Sequence, residues 1–199
     1  MEYRCDKVFQ CEDQSDEESC KLFQIDTSTY SKVNPPIDKE KKLAVNVSMV
    51  IEKIDNVKEL EMSLDAKFLL KLEWYDSRLS YKNLLDNDNI NLLNDEHKHQ
   101  IWTPSLVLSN TADNTIMANG PRSVLFIKKQ GHYNKSPLSS IDEDYYYQGS
   151  QNMLVLEGTY QVTLQCHFEL AAYPLDTQMC NIEVNQLGIA NKIISISHE

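Results

Sequence analysis

Hydrophobic and polar residues alternate most regularly between Met62 and Tyr75. Met62, Leu64, Ala66, Phe68, Leu70, Leu72 and Trp74 share one parity, and Ser63, Asp65, Lys67, Leu69, Lys71, Glu73 and Tyr75 share the other. Successive strand side chains point to opposite faces, so the pattern predicts a half-buried strand with the first set inward and Leu69 as the apolar member of the outer face. An earlier segment repeats it. Leu43, Val45, Val47, Met49 and Ile51 alternate with Ala44, Asn46, Ser48 and Val50, and a polar turn is expected at Asp55-Asn56.

Two further strands flank a pair of cysteines. Tyr160, Val162 and Leu164 alternate with Gln161, Thr163 and Gln165 before Cys166, and Ile182 and Val184 alternate with Asn181 and Glu183 after Cys180. Both cysteines fall on the apolar parity. A bridge between them would staple two strand ends and close a short loop, contributing about 3 kcal/mol in the chain-entropy model. Free thiols are the alternative at this level. Before the first of these strands, residues 27–40 carry Pro35-Pro36 and few apolar side chains, and read as a linker or a short helix plus loop. Residues 128–150 read as a long surface loop broken by Gly131, Pro137 and Gly149. In it, Tyr145, Tyr146 and Tyr147 follow Asp142, Glu143 and Asp144, a solvated stretch or else a partner anchor or modification site. Asp95-Glu96-His97-Lys98-His99 reads as a loop leading into a strand rather than a metal site.

Composition narrows the function classes. The chain has 199 residues, enough for one core and a small appendage, with 25% charged and 41% hydrophobic residues. A net charge of −11 argues against nucleic acid and against docking on anionic lipid. There is no run of about 18 apolar residues and no apolar segment near Met1 that reads as a signal peptide. Yet five cysteines and the sequons Asn46-Val47-Ser48 and Asn134-Lys135-Ser136 point outside the cell. The chain is therefore expected to be a fragment of a longer protein. No Ser/His/Asp, Cys/His or paired-carboxylate arrangement suggests an enzyme.

The sequence Cys166-HFELAAYPLDTQM-Cys180, with its Tyr173-Pro174-Leu175-Asp176 corner, resembles the signature loop of the Cys-loop receptors, the pentameric ligand-gated ion channels. Trp74-Tyr75-Asp76-Ser77-Arg78-Leu79 matches that family's W-x-D-x-R-L block. Ile101-Trp102-Thr103-Pro104 and the following Ser105 to Asp113 resemble its W-x-P-D block and first principal binding loop, with Ser105 in place of the Asp. Trp102 itself reads as a core aromatic.

The resemblance covers roughly residues 30–199, with the ligand-binding domain placed at 41–199 after a linker at 21–40. It implies an all-β fold, an immunoglobulin-like antiparallel β-sandwich, assembled as a pentamer of homologous or identical subunits. It implies a small neurotransmitter-type ligand at subunit interfaces, membrane attachment through segments beyond this sequence, and the extracellular side of the plasma membrane. Leu69 falls where cation-binding members often carry an aromatic, and Lys71 where amino-acid-gated members often carry a carboxylate-holding Arg, for which Lys lacks the bidentate fork. Ser109 and Leu187 stand where principal-face aromatics are expected. Tyr173, Pro174 and Asp176 would press the loop tip on the membrane domain. Asn46 and Asn134 would carry glycans.

Residues 5–20, CDKVFQCEDQSDEESC, resemble the second half of a low-density-lipoprotein receptor class A module, a small disulfide-rich unit assigned to 1–20. By that resemblance Cys5 pairs with Cys20, the partner of Cys11 lies upstream, and Asp6, Asp16 and Glu17, with the Val8 carbonyl, belong to a calcium cage. Gln10 replaces a further carboxylate, and a solvated acidic tail fits the same residues. No other cofactor is expected. A pore-less ligand-binding protein and a cell-surface adhesion or scavenging module are the alternative functions. Non-reducing peptide mapping is expected to recover Cys166 linked to Cys180, and Cys5 to Cys20; either loop cysteine found as a free thiol overturns the first assignment.

Overall fold

Burial on one face only is what the alternating segments require, and in a computed structural model of the chain they become long strands. The structure describes residues 8–14, 22–26, 28–37, 43–111, 116–117, 123–133, 145–173, 175–186 and 194–198. In chain order the strands are β1 (Phe23–Gln24), β2 (Leu43–Lys58), β3 (Ser63–Trp74), β4 (Ser80–Lys82), β5 (Leu92–Leu93), β6 (Leu106–Leu108), β7 (Ile116–Met117), β8 (Ser123–Lys128), β9 (Tyr146–Gln148), β10 (Met153–Gln165), β11 (Val184–Gln186) and β12 (Ile194–His198). A helical turn, α1 (Asp95–Lys98), and 3₁₀ turns at Asp88–Ile90 and Leu170–Ala172 accompany them. The all-β class implied by the resemblance is the class observed. The chain falls into two units, one of Met1–Pro36, Glu73–Trp102 and Val124–Leu156, the other of Ile37–Leu72, Thr103–Ser123 and Glu157–Glu199.

In the first unit β4 lies between β1 and β9, antiparallel to both, with Tyr81 opposite Phe23 and Tyr147. β5 and β8 pair antiparallel through Leu92–Phe126 and Leu93–Leu125. Trp74, Tyr81, Leu125, Ile127 and Leu154 are almost wholly buried, and Trp74 meets Trp102 edge-on at 6.1 Å. Trp102 is thus a packing residue, as its sequence reading held.

A buried ionic knot ties this unit. Asp76, fully buried, accepts from Arg78 Nε at 2.9 Å and Nη2 at 2.8 Å, a bidentate pair, and from the Tyr30 hydroxyl at 3.0 Å. Arg78 Nη1 donates to the carbonyls of Ser31 at 3.1 Å and Asn34 at 2.9 Å, and its guanidinium lies 4.4 Å from the Tyr30 ring centroid. The Trp102 amide donates to the same Tyr30 oxygen at 2.9 Å. Burial pushes the Tyr30 phenol well above its ordinary pKa, so it remains a donor throughout the physiological range. The stretch expected as a linker at 21–40 thus supplies β1 and, through Tyr30, Ser31 and Asn34, three partners to this knot. Its Pro-Pro pair and low apolar content gave no sign of contacts that are mostly polar.

In the second unit the strand order is β12–β2–β3–β10, beside a three-stranded β11–β6–β7 sheet. Phe68, Leu70 and Leu72 are 0–2% exposed while Leu69 and Lys71 are half-buried, so the register of β3 is the expected one. Phe68 stacks on Tyr160 at 6.0 Å. β12 runs parallel to β2, Ile194 opposite Leu43, in a fold otherwise expected to be antiparallel.

Four expectations are corrected. β2 does not turn at Asp55-Asn56 but runs to Lys58, and Ile51, expected inward, is 54% exposed. The turn is at residues 59–62, where Met62 adopts a left-handed φ of 49° and is exposed, so the inward set of β3 begins at Ala66 while Ser63 is buried. Residues 95–98 form a helical turn because the Asn94 carboxamide caps the His97 amide at 2.8 Å. Tyr146 and Tyr147 are strand residues, Tyr147 buried at 4%, because pairing with β4 satisfies their backbone.

Removing one partner of a buried ion pair leaves the other uncompensated. Arg78→Ala is expected to destabilise the protein by about 3–5 kcal/mol and Tyr30→Phe by about 1–3 kcal/mol, each measured by urea unfolding; values near zero for Arg78→Ala would mean that Asp76 is not held as a buried charge.

Candidate functional site

Apart from Val8, the described residues singled out from the sequence as site candidates lie in the second unit, on two separate strand groups and one loop. On the outer face of β3, Leu69 and Lys71 sit among charged pairs. Lys71 Nζ is 4.0 Å from Glu157 Oε1 on β10, and Lys67 Nζ is 2.8 Å from Glu52 on β2. Asp65 accepts from Thr163 Oγ1 at 2.7 Å and Asn56 Nδ2 at 3.3 Å, with Lys58 Nζ at 3.1 Å. The hydrogen bond from Thr163 first, then those from Lys58 and Asn56, hold the Asp65 carboxyl below its ordinary range. Neither Glu157 nor Thr163 was named as a site residue from the sequence. Both lie on β10, and which side chain of a neighbouring strand stands opposite depends on register, which alternation alone does not set.

Ser109 follows β6 and faces the start of β11. Its amide donates to the Glu183 carbonyl at 3.0 Å and its hydroxyl to Glu183 Oε2 at 3.0 Å, while Asn185 Nδ2 donates to that hydroxyl at 2.9 Å. Asn110 binds the Asn181 carbonyl at 2.8 Å and accepts from the Glu183 amide at 3.1 Å. A polar cluster therefore occupies the position where the resemblance expects an aromatic ring. Its sequence signal was the outward parity of Asn181, Glu183 and Asn185.

Cys166 and Cys180 are joined, with Cα atoms 5.2 Å apart, and Val162, Leu164, Cys166 and Phe168 are all buried on one parity. The Cys166 amide donates to the Met62 carbonyl at 2.8 Å, which fixes the loop beside the 59–62 turn. Inside the loop a short helical turn spans Leu170–Ala172. The Gln178 carboxamide closes a two-bond bridge to the Glu169 backbone, 2.9 Å each way, and also contacts the Asp176 carboxylate. Gln178, overlooked in the sequence, is thus the side chain that braces the loop. Tyr173 (63% exposed), Leu175 (92%) and Met179 (78%) project from it, and Leu60 (99%) projects from the neighbouring turn. Asp176 is half-buried.

Asn46 is exposed on β2. Asn134, Pro174, Leu187, Cys5, Cys20, Asp6, Asp16 and Glu17, which carry the glycan, corner, principal-face and calcium expectations, lie outside the described residues. Val8 and Cys11 are exposed. Among the described residues no cluster of three or more His, Cys, Asp or Glu is arranged to hold a metal, and no helix is long and apolar enough to cross a membrane.

Comparison with known proteins gives a match of residues 20–199 to the family model of the neurotransmitter-gated ion-channel ligand binding domain. A γ-aminobutyric acid receptor subunit beta of Caenorhabditis elegans is 25% identical over 146 residues, 73% of this chain and 23% of the relative. A neuronal acetylcholine receptor subunit beta-4 of Gallus gallus is 30% identical over 100 residues, 50% of this chain and 21% of the relative. A glutamate-gated chloride channel of Drosophila melanogaster is 20% identical over 144 residues, 72% of this chain and 27% of the relative. The chain thus spans about a quarter of the length of the curated relatives it matches.

The Asp65 cluster makes a pH prediction. Its folded pKa is depressed, so its contribution to stability is present above the unfolded value near 3.8 and is lost as pH falls through the lower folded value. Thr163→Val should move the Asp65 pKa upward in a carbon-detected NMR titration; an unchanged pKa would show that the Thr163 hydroxyl is not its main support.

Proposed function

The chain belongs to the neurotransmitter-gated ion-channel ligand-binding domain family, and on that premise we propose that it is the extracellular ligand-binding part of a pentameric channel subunit at the plasma membrane. The observation that carries the reading is the covalently closed 166–180 loop, braced by Gln178 and fixed to the 59–62 turn, with apolar side chains at its tip. A loop so tied moves as a unit, and exposed Tyr173, Leu175 and Leu60 suit contact with a membrane domain rather than with water. In this reading ligand closure at a subunit interface shifts the strands, and Tyr173, Pro174 and Asp176 transmit the shift to the pore.

The outer face of β3, with Leu69 and Lys71, is the complementary side of an interface, and the Ser109 region with Leu187 the principal side. Partners are further copies or homologous subunits, and the ligand is a small neurotransmitter-type molecule. Asn46, exposed on β2, is suited to a glycan. Residues 5–20 form half of a class A module with Cys5 bonded to Cys20 and Asp6, Asp16 and Glu17 directed to calcium; the family match begins at residue 20, where that stretch ends.

Ser109 and Leu187 remove two rings from the principal side. Each cation–π contact contributes roughly 0.5–2 kcal/mol, so cationic agonists lose roughly 1–4 kcal/mol there, about five- to a thousand-fold in affinity. The full-length subunit expressed alone in oocytes, with acetylcholine, serotonin, γ-aminobutyrate, glycine and glutamate applied in turn, is expected to give no low-micromolar acetylcholine current. A robust one would overturn this assignment of the principal face.

A further inference from the structure

We propose that Glu157 is a specificity-determining residue: by pairing with Lys71 it closes the outer face of β3 to carboxylate ligands and leaves it open to amines that carry no carboxylate. The proposal rests on reading that face as a ligand face. A lysine ammonium captures a ligand carboxylate only where no fixed carboxylate competes for it. Glu157 Oε1 is 4.0 Å from Lys71 Nζ, on the adjacent strand, and the two side chains are 37% and 33% exposed. Partial burial lowers the local dielectric and weakens screening by salt, so the two charges interact more strongly than a fully solvated pair.

The rest of the face follows the same rule. Lys67 stands 2.8 Å from Glu52 and Lys58 3.1 Å from Asp65, so each of these three lysines has a carboxylate within 4.0 Å. An incoming carboxylate must therefore compete with Glu157 for the ammonium and meet its like charge, a cost that an amine avoids. Lys71 also lacks the planar fork with which an arginine would serve two carboxylates at once. Leu69, two residues before Lys71 on the same face, supplies apolar contact for the carbon chain of an amine.

The test compares wild type with Glu157→Gln in the purified full-length subunit. Surface pairs of this kind are worth a few tenths to about 1 kcal/mol, which sets the expected changes at roughly two- to five-fold. Acylation of Lys71 by an amine-selective reagent, followed by peptide mass spectrometry, should speed up by that factor in the variant. Lys67, paired with Glu52, should react at an unchanged rate. In saturation-transfer NMR with γ-aminobutyrate and n-butylamine as probes, wild type should favour butylamine, and Glu157→Gln should shift the ratio toward γ-aminobutyrate by a similar factor. Unchanged Lys71 reactivity, or a wild-type preference for γ-aminobutyrate, overturns the role of Glu157. Faster Lys71 acylation with an unmoved ligand ratio also overturns it, and places the failure in the reading of the face rather than in the ion pair.

Discussion

The constraint on which the first unit depends is a carboxylate with no access to water. Asp76 is fully buried, and an isolated charge in that position would cost several kcal/mol. Its oxygens are met by a bidentate guanidinium and by the Tyr30 hydroxyl, and each of those groups then acts on other parts of the chain. Arg78 gathers the backbone of Ser31 and Asn34, and Tyr30 receives the Trp102 amide. Even Gly149 belongs to this arrangement. A Cβ there would collide with the Asp76 carbonyl, so the turn after β9 can approach only without a side chain. One buried charge therefore sets the course of three segments distant in sequence.

The second unit is fixed by different means. Its strands hold together through an apolar face, with Phe68 against Tyr160 and Leu70, Leu72 and Leu164 buried, and through a covalent bond at Cys166–Cys180. The outer face of β3 is paired charge by charge, so its lysines are not simple anion sites. The Ser109 region is a hydrogen-bonded knot of hydroxyl, carboxylate and amide groups rather than an aromatic cage. If these are the ligand faces, as proposed, both features turn recognition away from π-bound cations on one side and from ligand carboxylates on the other.

The loop between the cysteines joins rigidity to exposed apolar surface. Gln178 satisfies both backbone groups of Glu169, which a loop of this length could otherwise leave to water, and the Cys166 amide is bonded to the adjacent turn. Side chains such as Leu175 and Leu60 would be a liability on a surface that meets only solvent. In the proposed function they are instead a contact surface held on a braced scaffold.

The strand character of the alternating segments, the inward set of β3 from Ala66 to Trp74 and the parity of the two loop cysteines were determined by the sequence, because a period of two is a local property. The family blocks were equally legible, since W-x-D-x-R-L and C-x13-C are contiguous. Contacts between segments far apart in sequence were decided only by the tertiary structure. Tyr30 lies in a stretch that reads as linker, yet it completes the shell of Asp76. Glu157 lies on a different strand from Lys71 and meets it only through strand pairing, and Glu183 reaches Ser109 by the same route. β2 runs past its polar Asp55-Asn56, because Asn56 and Lys58 find Asp65 across the strand pair. Polar partners of this kind leave no periodic trace, since a hydrogen bond is set by the position of two atoms and not by the hydrophobicity of either residue.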